Sequence, residues 1–198
     1  YEIIDQNQFE IVTLNKKINE QVSDIGQNSI NLPLGIVKIT RPVKALDIII
    51  RTCSNVNMLT QNKARLFERE KIEYTLRTII SIINSVNYNP MLKKIRISYK
   101  VVDHNSTKEN LLKIDTVFKK HNIDYKLINL DVSKFEKEIH EVNERGDKVS
   151  YNQISNMANI NQSLEESKNS EDLIYFVEDD YIHQKNSIGE MILTYERI

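Results

Sequence analysis

Glycine and proline are scarce in this chain, with 4 and 3 among 198 residues. Glycine-rich phosphate cradles of the GxGxxG or GxxxxGKS/T type are absent, so any bound phosphate must be held in another way. A single cysteine, Cys53, excludes an internal disulfide framework and a cysteine-rich zinc site, and it fits a reducing, cytoplasmic compartment. No apolar run approaches the ~18–20 residues of a membrane span, and no leader pattern opens the sequence. Net charge is −1 with 28% charged residues, which gives no overall field toward nucleic acid or an anionic membrane. The first residue is Tyr1 rather than Met, so the sequence is expected to be a piece of a longer chain whose other parts could carry membrane contacts.

Against these absences stands one dense feature. Asp172-Leu173-Ile174-Tyr175-Phe176-Val177 runs directly into Glu178-Asp179-Asp180. The apolar run has the length and composition of a strand buried on both faces. Three carboxylates at its mouth repel one another and lose hydration unless a cation or an ordered loop receives them. Oxygen-only ligands suit a hard ion such as Mg²⁺ or Mn²⁺ shared with phosphates. Acids capping a helix N-terminus explain the triplet equally well on its own.

The remaining pattern places the triplet in a fold. Residues 1–44 read as an extension or the end of a preceding domain, with Ile11, Leu14, Ile18, Val22 and Ile25 at helical spacing and an irregular or edge-strand segment over 30–40. Residues 45–198 alternate strands and helices. Leu46 to Ile50 is a strand, and a polar loop to Lys63 follows it. Ile72, Leu76, Ile79, Ile80, Ile83 and Val86 form a helical stripe. A strand alternates through Ile95, Ile97, Tyr99 and Val101, and a capping turn at Asp103–Thr107 leads to a helix through Leu111, Ile114 and Phe118. Tyr125 to Leu130 is a further strand, Phe135 to Lys148 a surface helix and loop, Ser155 to Lys168 a helix, and Leu173 to Val177 the last strand. This order predicts an α/β, Rossmann-like, mostly parallel sheet with helices on both faces and an N-terminal helical extension. Ligands in such sheets bind beyond the carboxyl ends of the strands. Arg51-Thr52-Cys53, Asp103-His104-Asn105 and Glu178-Asp179-Asp180 should therefore converge.

Three stretches in this order resemble the donor-binding half of GT-A-fold glycosyltransferases: Tyr74-Thr75-Leu76-Arg77-Thr78-Ile79-Ile80-Ser81-Ile82, Val102-Asp103-His104-Asn105-Ser106-Thr107, and Tyr175-Phe176-Val177-Glu178-Asp179-Asp180. The first is similar to the family's helix after strand one, the second to its V-D-D-G-S-T-like turn, the third to its D-x-D-type metal motif. The resemblance spans about Leu46 to His183 and implies transfer of a sugar from a nucleotide-diphosphate donor, with UDP-sugars favoured, to a glycan or other hydroxyl acceptor. It implies Asp103 as a nucleobase contact, Arg51, Thr52 and Cys53 lining base and ribose, and Asn156 and Asn159 contacting ribose or sugar. Asp180 is implied as first ligand of Mn²⁺ or Mg²⁺, with Glu178 beside it and Asp179 between, and His183 as a weaker ligand.

The sequence departs from the family pattern in three respects. His104 and Asn105 replace Asp and Gly of the turn, which passes any positive φ to Asn105. Glu178 replaces the usual first Asp, and its longer arm could reach a sugar hydroxyl or a water. The acceptor side, where the family's catalytic base lies, is expected beyond Ile198, leaving the domain truncated there. A non-catalytic GT-A-like binding or scaffold domain is therefore the alternative. His121 and His140 read as inert surface residues, and Cys53 has no visible base to make it a nucleophile.

Overall fold

In a computed structural model, the structure describes residues 2–5, 8–10, 36–38, 41–55, 69–135, 142 and 145–197. The chain divides into two compact units, Val43–Glu190 and a smaller one comprising Tyr1–Pro42 with Met191–Ile198. In the smaller unit, β1 (Glu2–Asp5), β2 (Gln8–Glu10) and β3 (Ile36–Lys38) form an antiparallel sheet in that order. The helix expected over Ile11 to Ile25 lies outside the described residues. Within the same unit the Arg41 guanidinium donates to the Tyr195 hydroxyl and sits 5.1 Å from the centre of its ring.

The larger unit carries β4 (Ala45–Thr52), α1 (Lys71–Tyr88), β5 (Arg96–Asp103), α2 (Lys108–Lys120), β6 (Tyr125–Asn129), α3 (Tyr151–Ser167) and β7 (Leu173–Glu178). Helix α4 (Ser187–Arg197) follows and crosses the division between the units. Strands β4–β7 form a fully parallel sheet in the order β6-β5-β4-β7. The chain walks outward from β4 through β5 to β6, then crosses back to the other side of β4. With right-handed crossovers, α1 and α2 then cover one face and α3 the other. Side-chain contacts agree: Tyr99 and Phe118 of α2 pack edge to face at 5.6 Å, whereas Asn159 of α3 donates to the Val102 carbonyl at 3.2 Å. The doubly wound α/β arrangement read from the sequence is the one observed.

Burial corrects two local expectations. The strand buried on both faces is β4, whose Ile48, Ile49 and Ile50 are fully buried between neighbours on both sides. Strand β7 lies at an edge of the described sheet, and its Phe176 is 40% exposed. Its composition matches a buried strand, but its position in the sheet leaves one side open. On α1 the buried face runs through Ile72, Ile79, Ile82 and Ile83, with Thr75 and Thr78 inside it, while Ile80 points outward. Two threonines replace the aliphatic residues expected on that face, and Thr75 has polar work to do.

The turns follow local chemistry. Thr107, not Asp103, caps α2, accepting from the Asn110 N–H at 3.2 Å. Helix α3 opens a turn earlier than Ser155, on a capping box in which Ser150 and Gln153 exchange hydrogen bonds. Phe135 ends a short 3₁₀ segment at Val132–Phe135, and most of the surface helix expected after it lies outside the described residues. Among the described residues no helix is long and apolar enough to cross a membrane.

Candidate functional site

Parallel register brings the three polar strand ends together. Thr52 pairs with Asp103 in the β4–β5 ladder, and Arg51 pairs with Glu178 in the β4–β7 ladder. Beyond these ends lies a cleft of about 340 Å³, lined by residues from all three strand exits, from the start of α1 and from α3. It sits where the winding reverses, the place where an open α/β sheet leaves a crevice.

Each acid of the triplet has a different environment. Glu178 is half exposed and forms an ion pair with Arg51, whose guanidinium also donates to the Asn156 amide oxygen at 3.3 Å. Asp179 is turned inward and buried. Lys71 Nζ lies 2.7 Å from one of its oxygens, and the other accepts from Thr75 Oγ1 at 2.7 Å and from the Cys53 N–H at 3.4 Å. Burial pushes the Asp179 carboxyl above its usual range, and Lys71, Thr75 and the Cys53 N–H only partly offset it. Asp180 is half exposed and lies 3.6 Å from Lys71 Nζ. Asp179 thus pins α1 and the β4 exit to the end of β7, and Glu178 and Asp180 are the half-exposed carboxylates that line the cleft.

Asp103 is equally occupied. Thr52 Oγ1 and Ser106 Oγ both donate to its Oδ1 at 2.6 Å, and the Ser106 N–H donates to its Oδ2 at 3.2 Å. It is buried and does not line the cleft; its neighbours His104 and Asn105 do. Asn105 takes the positive φ expected of it, +61°, and its side-chain amide donates to the Asn55 carbonyl at 3.2 Å. That bond ties the turn after β5 to the loop after β4. Cys53 lines the cleft, but burial, with the Asp179 and Asp103 charges, pushes its thiol up to about 11, which keeps it protonated at neutral pH.

Of the other expected site residues, Arg51, Thr52, Asn156 and Asn159 all line the cleft. Thr52 and Asn159 are committed to Asp103 and to the Val102 carbonyl. His183 is not brought to the cleft: its Nε2 lies 2.7 Å from the Tyr175 hydroxyl and its Nδ1 3.3 Å from Ser81 Oγ, so both ring nitrogens already have partners.

Sequence reasoning overlooked Lys71, Asn55, Tyr151, Asn152 and Ser155, all on the cleft wall. Two had a legible signal. Lys71 is the first residue of α1 and therefore sits beside the strand ends, and the Ser150–Gln153 capping box would have placed Tyr151 at the start of α3.

Among the described residues no group of three or more His, Cys, Asp and Glu side chains is arranged to hold a metal ion by itself. The protein offers Asp180, and Glu178 if it leaves Arg51. This fits a magnesium-like ion, which is commonly held by one or two carboxylates plus substrate phosphates and water. The formal charge of the cleft agrees: three carboxylates (Glu178, Asp179, Asp180) against two cations (Arg51, Lys71) leave one negative charge. A divalent ion would reverse that sign.

No family model matches the sequence, and no curated protein matches it. Among solved structures, the crystal structure of S. aureus TarS 1-349 is similar at a TM-score of 0.41 and 14% identity, over 75% of this chain and 31% of that one. Likeness at that level fixes neither family nor activity.

Proposed function

We propose that the cleft is a nucleotide-sugar donor site and that the chain is the donor-binding part of a GT-A-like glycosyltransferase. The observation that carries this reading is the convergence of three strand ends on one crevice, with an acidic end at β7 and amides and rings at β5. The three motif-like stretches meet there too: Thr75 of the helix stretch donates to Asp179, and the turn stretch supplies His104 and Asn105 to the same wall.

In this reading a nucleoside diphosphate lies across the end of β4. Asp180, with Glu178, would hold Mn²⁺ or Mg²⁺, which when bound supplies Lewis-acid stabilisation of the diphosphate as a leaving group. Arg51 can turn from Glu178 to a phosphate oxygen, since a guanidinium suits both acceptors. Lys71 stays with Asp179 and keeps the acid loop in place. The transfer itself joins an acceptor hydroxyl to the anomeric carbon and releases the nucleoside diphosphate, with the hydroxyl proton passing to a base. A compartment that keeps Cys53 reduced, such as the cytoplasm, suits this chemistry and the lone thiol.

One observation favours a second reading. With Asp180 and Glu178 given to the metal ion and Asp179 held by Lys71 and Thr75, no other carboxylate among the described residues lining the cleft is left to take that proton. A binding module that holds a nucleotide sugar without turning it over fits this equally. Calorimetric titration with UDP, GDP and CDP, with and without Mn²⁺, tests the shared claim. Binding of one nucleotide that depends on Mn²⁺ is expected, and no binding of any would overturn both readings. Sugar release from the cognate donor in the presence of acceptor then separates enzyme from module.

A further inference from the structure

Three facts bear on how the site would hold a nucleobase. First, the residue expected to do so is spent: Asp103 accepts from Thr52 and twice from Ser106, is buried, and stays off the cleft wall. Second, two rings stand on that wall instead. His104 follows β5, Tyr151 opens α3, and their centroids are 6.0 Å apart with planes inclined by 49°. Third, Tyr151 is 62% exposed although it lines a cleft, so it contributes little to the core. A large ring held at the mouth of a polar cleft by a capped helix start is a stacking surface without a stack.

Spacing supports this. His104 stands at the exit of β5 with the Tyr151 ring 6.0 Å from it, and the acids stand at the exit of β7, with β4 between. Two interstrand steps of about 4.8 Å separate these ends by roughly 10 Å. That is about the reach of a ribose linking a base to its diphosphate, and Arg51 and Cys53 lie along it at the end of β4. Burial lowers the His104 pKa against the pull of Asp103, so the ring facing the ligand is the neutral imidazole, able to donate and accept.

We infer that His104 and Tyr151 form the nucleobase subsite of the cleft, stacking a heteroaromatic base over the exit of β5 while the diphosphate lies at the exit of β7. The inference rests on the donor-site reading and names the part of that site which selects nucleoside over bare diphosphate. The amides of Asn55, Asn105 and Asn152 on the same wall are the groups available to the polar edge of the base.

The test compares UDP with inorganic pyrophosphate, each with Mn²⁺, on the wild-type chain and on Tyr151→Ala, Tyr151→Phe and His104→Ala. Loss of one stacking ring costs about 1–3 kcal/mol per base, so Tyr151→Ala should weaken UDP about tenfold. Pyrophosphate affinity should not change, and Tyr151→Phe should stay within about twofold of wild type, as expected when the face and not the hydroxyl binds. In proton spectra the uracil H5 and H6 signals should move upfield on binding to wild type and not on binding to Tyr151→Ala. Wild-type UDP affinity in both alanine variants would overturn the subsite and leave the donor site standing. Failure of the wild type to bind any nucleotide would overturn the donor site and this subsite together. Circular dichroism of each variant confirms the fold, which none of the three substitutions should disturb.

Discussion

Of the carboxylates that the α/β unit buries, Asp47 and Asp179 lie near opposite ends of its sheet, and the contrast between them separates scaffold from site. Asp47, early in β4, accepts from Ser98 Oγ at 2.6 Å and from Ser170 Oγ at 2.7 Å, with Arg96 at 3.4 Å and Lys100 at 3.6 Å. Asp179, past the end of β7, has one ammonium, one hydroxyl and one long bond from an N–H. Burial is the largest influence on both and pushes both upward. At Asp47 two hydroxyls and two cations outweigh it, and the carboxyl ends below its usual range. At Asp179 burial wins. One acid is satisfied and braces the sheet; the other is held at a cost, beside a cleft where Asp180 and Glu178 remain within reach of a ligand. Less complete satisfaction near a site is where function is usually found, because ligand groups finish the network.

Substitutions can break or sharpen this contrast. The largest effect is expected from Asp180→Ala, which should abolish Mn²⁺-dependent nucleotide binding and shift stability by less than about 0.5 kcal/mol, as for other exposed positions; calorimetry and urea unfolding read the two. Unchanged binding would remove Asp180 from the metal site. Asp47→Ala should behave in the opposite way, costing about 3 kcal/mol by removing the buried acceptor shared by Ser98, Ser170, Arg96 and Lys100 while nucleotide affinity of the folded protein is kept. Thr75→Val removes one donor from Asp179 and should cost about 1 kcal/mol, with a further upward move of the Asp179 carboxyl visible in carbon-detected titration. Asn105→Ala should cost as little, about 1 kcal/mol, because alanine resists the +61° φ, and the smallest effect is that of Asn105→Gly, which should be close to neutral.

Acid unfolding separates the two carboxylates by sign. Asp47 lies below 3.8 when folded, so its stabilisation is complete above that pH and is lost as pH falls through the depressed value. Asp179 lies above 3.8 when folded, so its charged form burdens the fold at higher pH, and that burden lifts as pH falls through the raised value. Unfolding free energies from pH 7 to pH 3 should therefore show a shallower acid loss in Asp47→Asn and a steeper one in Asp179→Asn. Equal slopes would mean the two sites do not differ.

Much of this was legible in the residues. Hydrophobic periodicity marks β4 to β7 and the helices between them, because a strand or helix must bury one face and its period shows which. The alternating order dictates a parallel sheet, and a parallel sheet puts its polar exits on one edge, so the meeting of Arg51, Asp103 and Glu178 follows from topology alone. Composition did not reveal that β7 sits at the edge, since an apolar strand reads the same with one neighbour or two.

What the sequence determined by itself is the set of elements, their order and the edge where chemistry gathers; these depend on local period and on handedness, both written in the chain. Only the tertiary structure decided which carboxylates are spent and which are open. Lys71 stands far along the chain from Asp179, yet it lies 2.7 Å away, and it takes the middle acid inward while leaving the last one to the cleft. Thr52 and Ser106 likewise consume Asp103, and His104 and Tyr151 take the wall it was expected to hold. Hydrogen-bond capacity is finite, and which partner uses it is settled only when distant parts of the chain pack side by side.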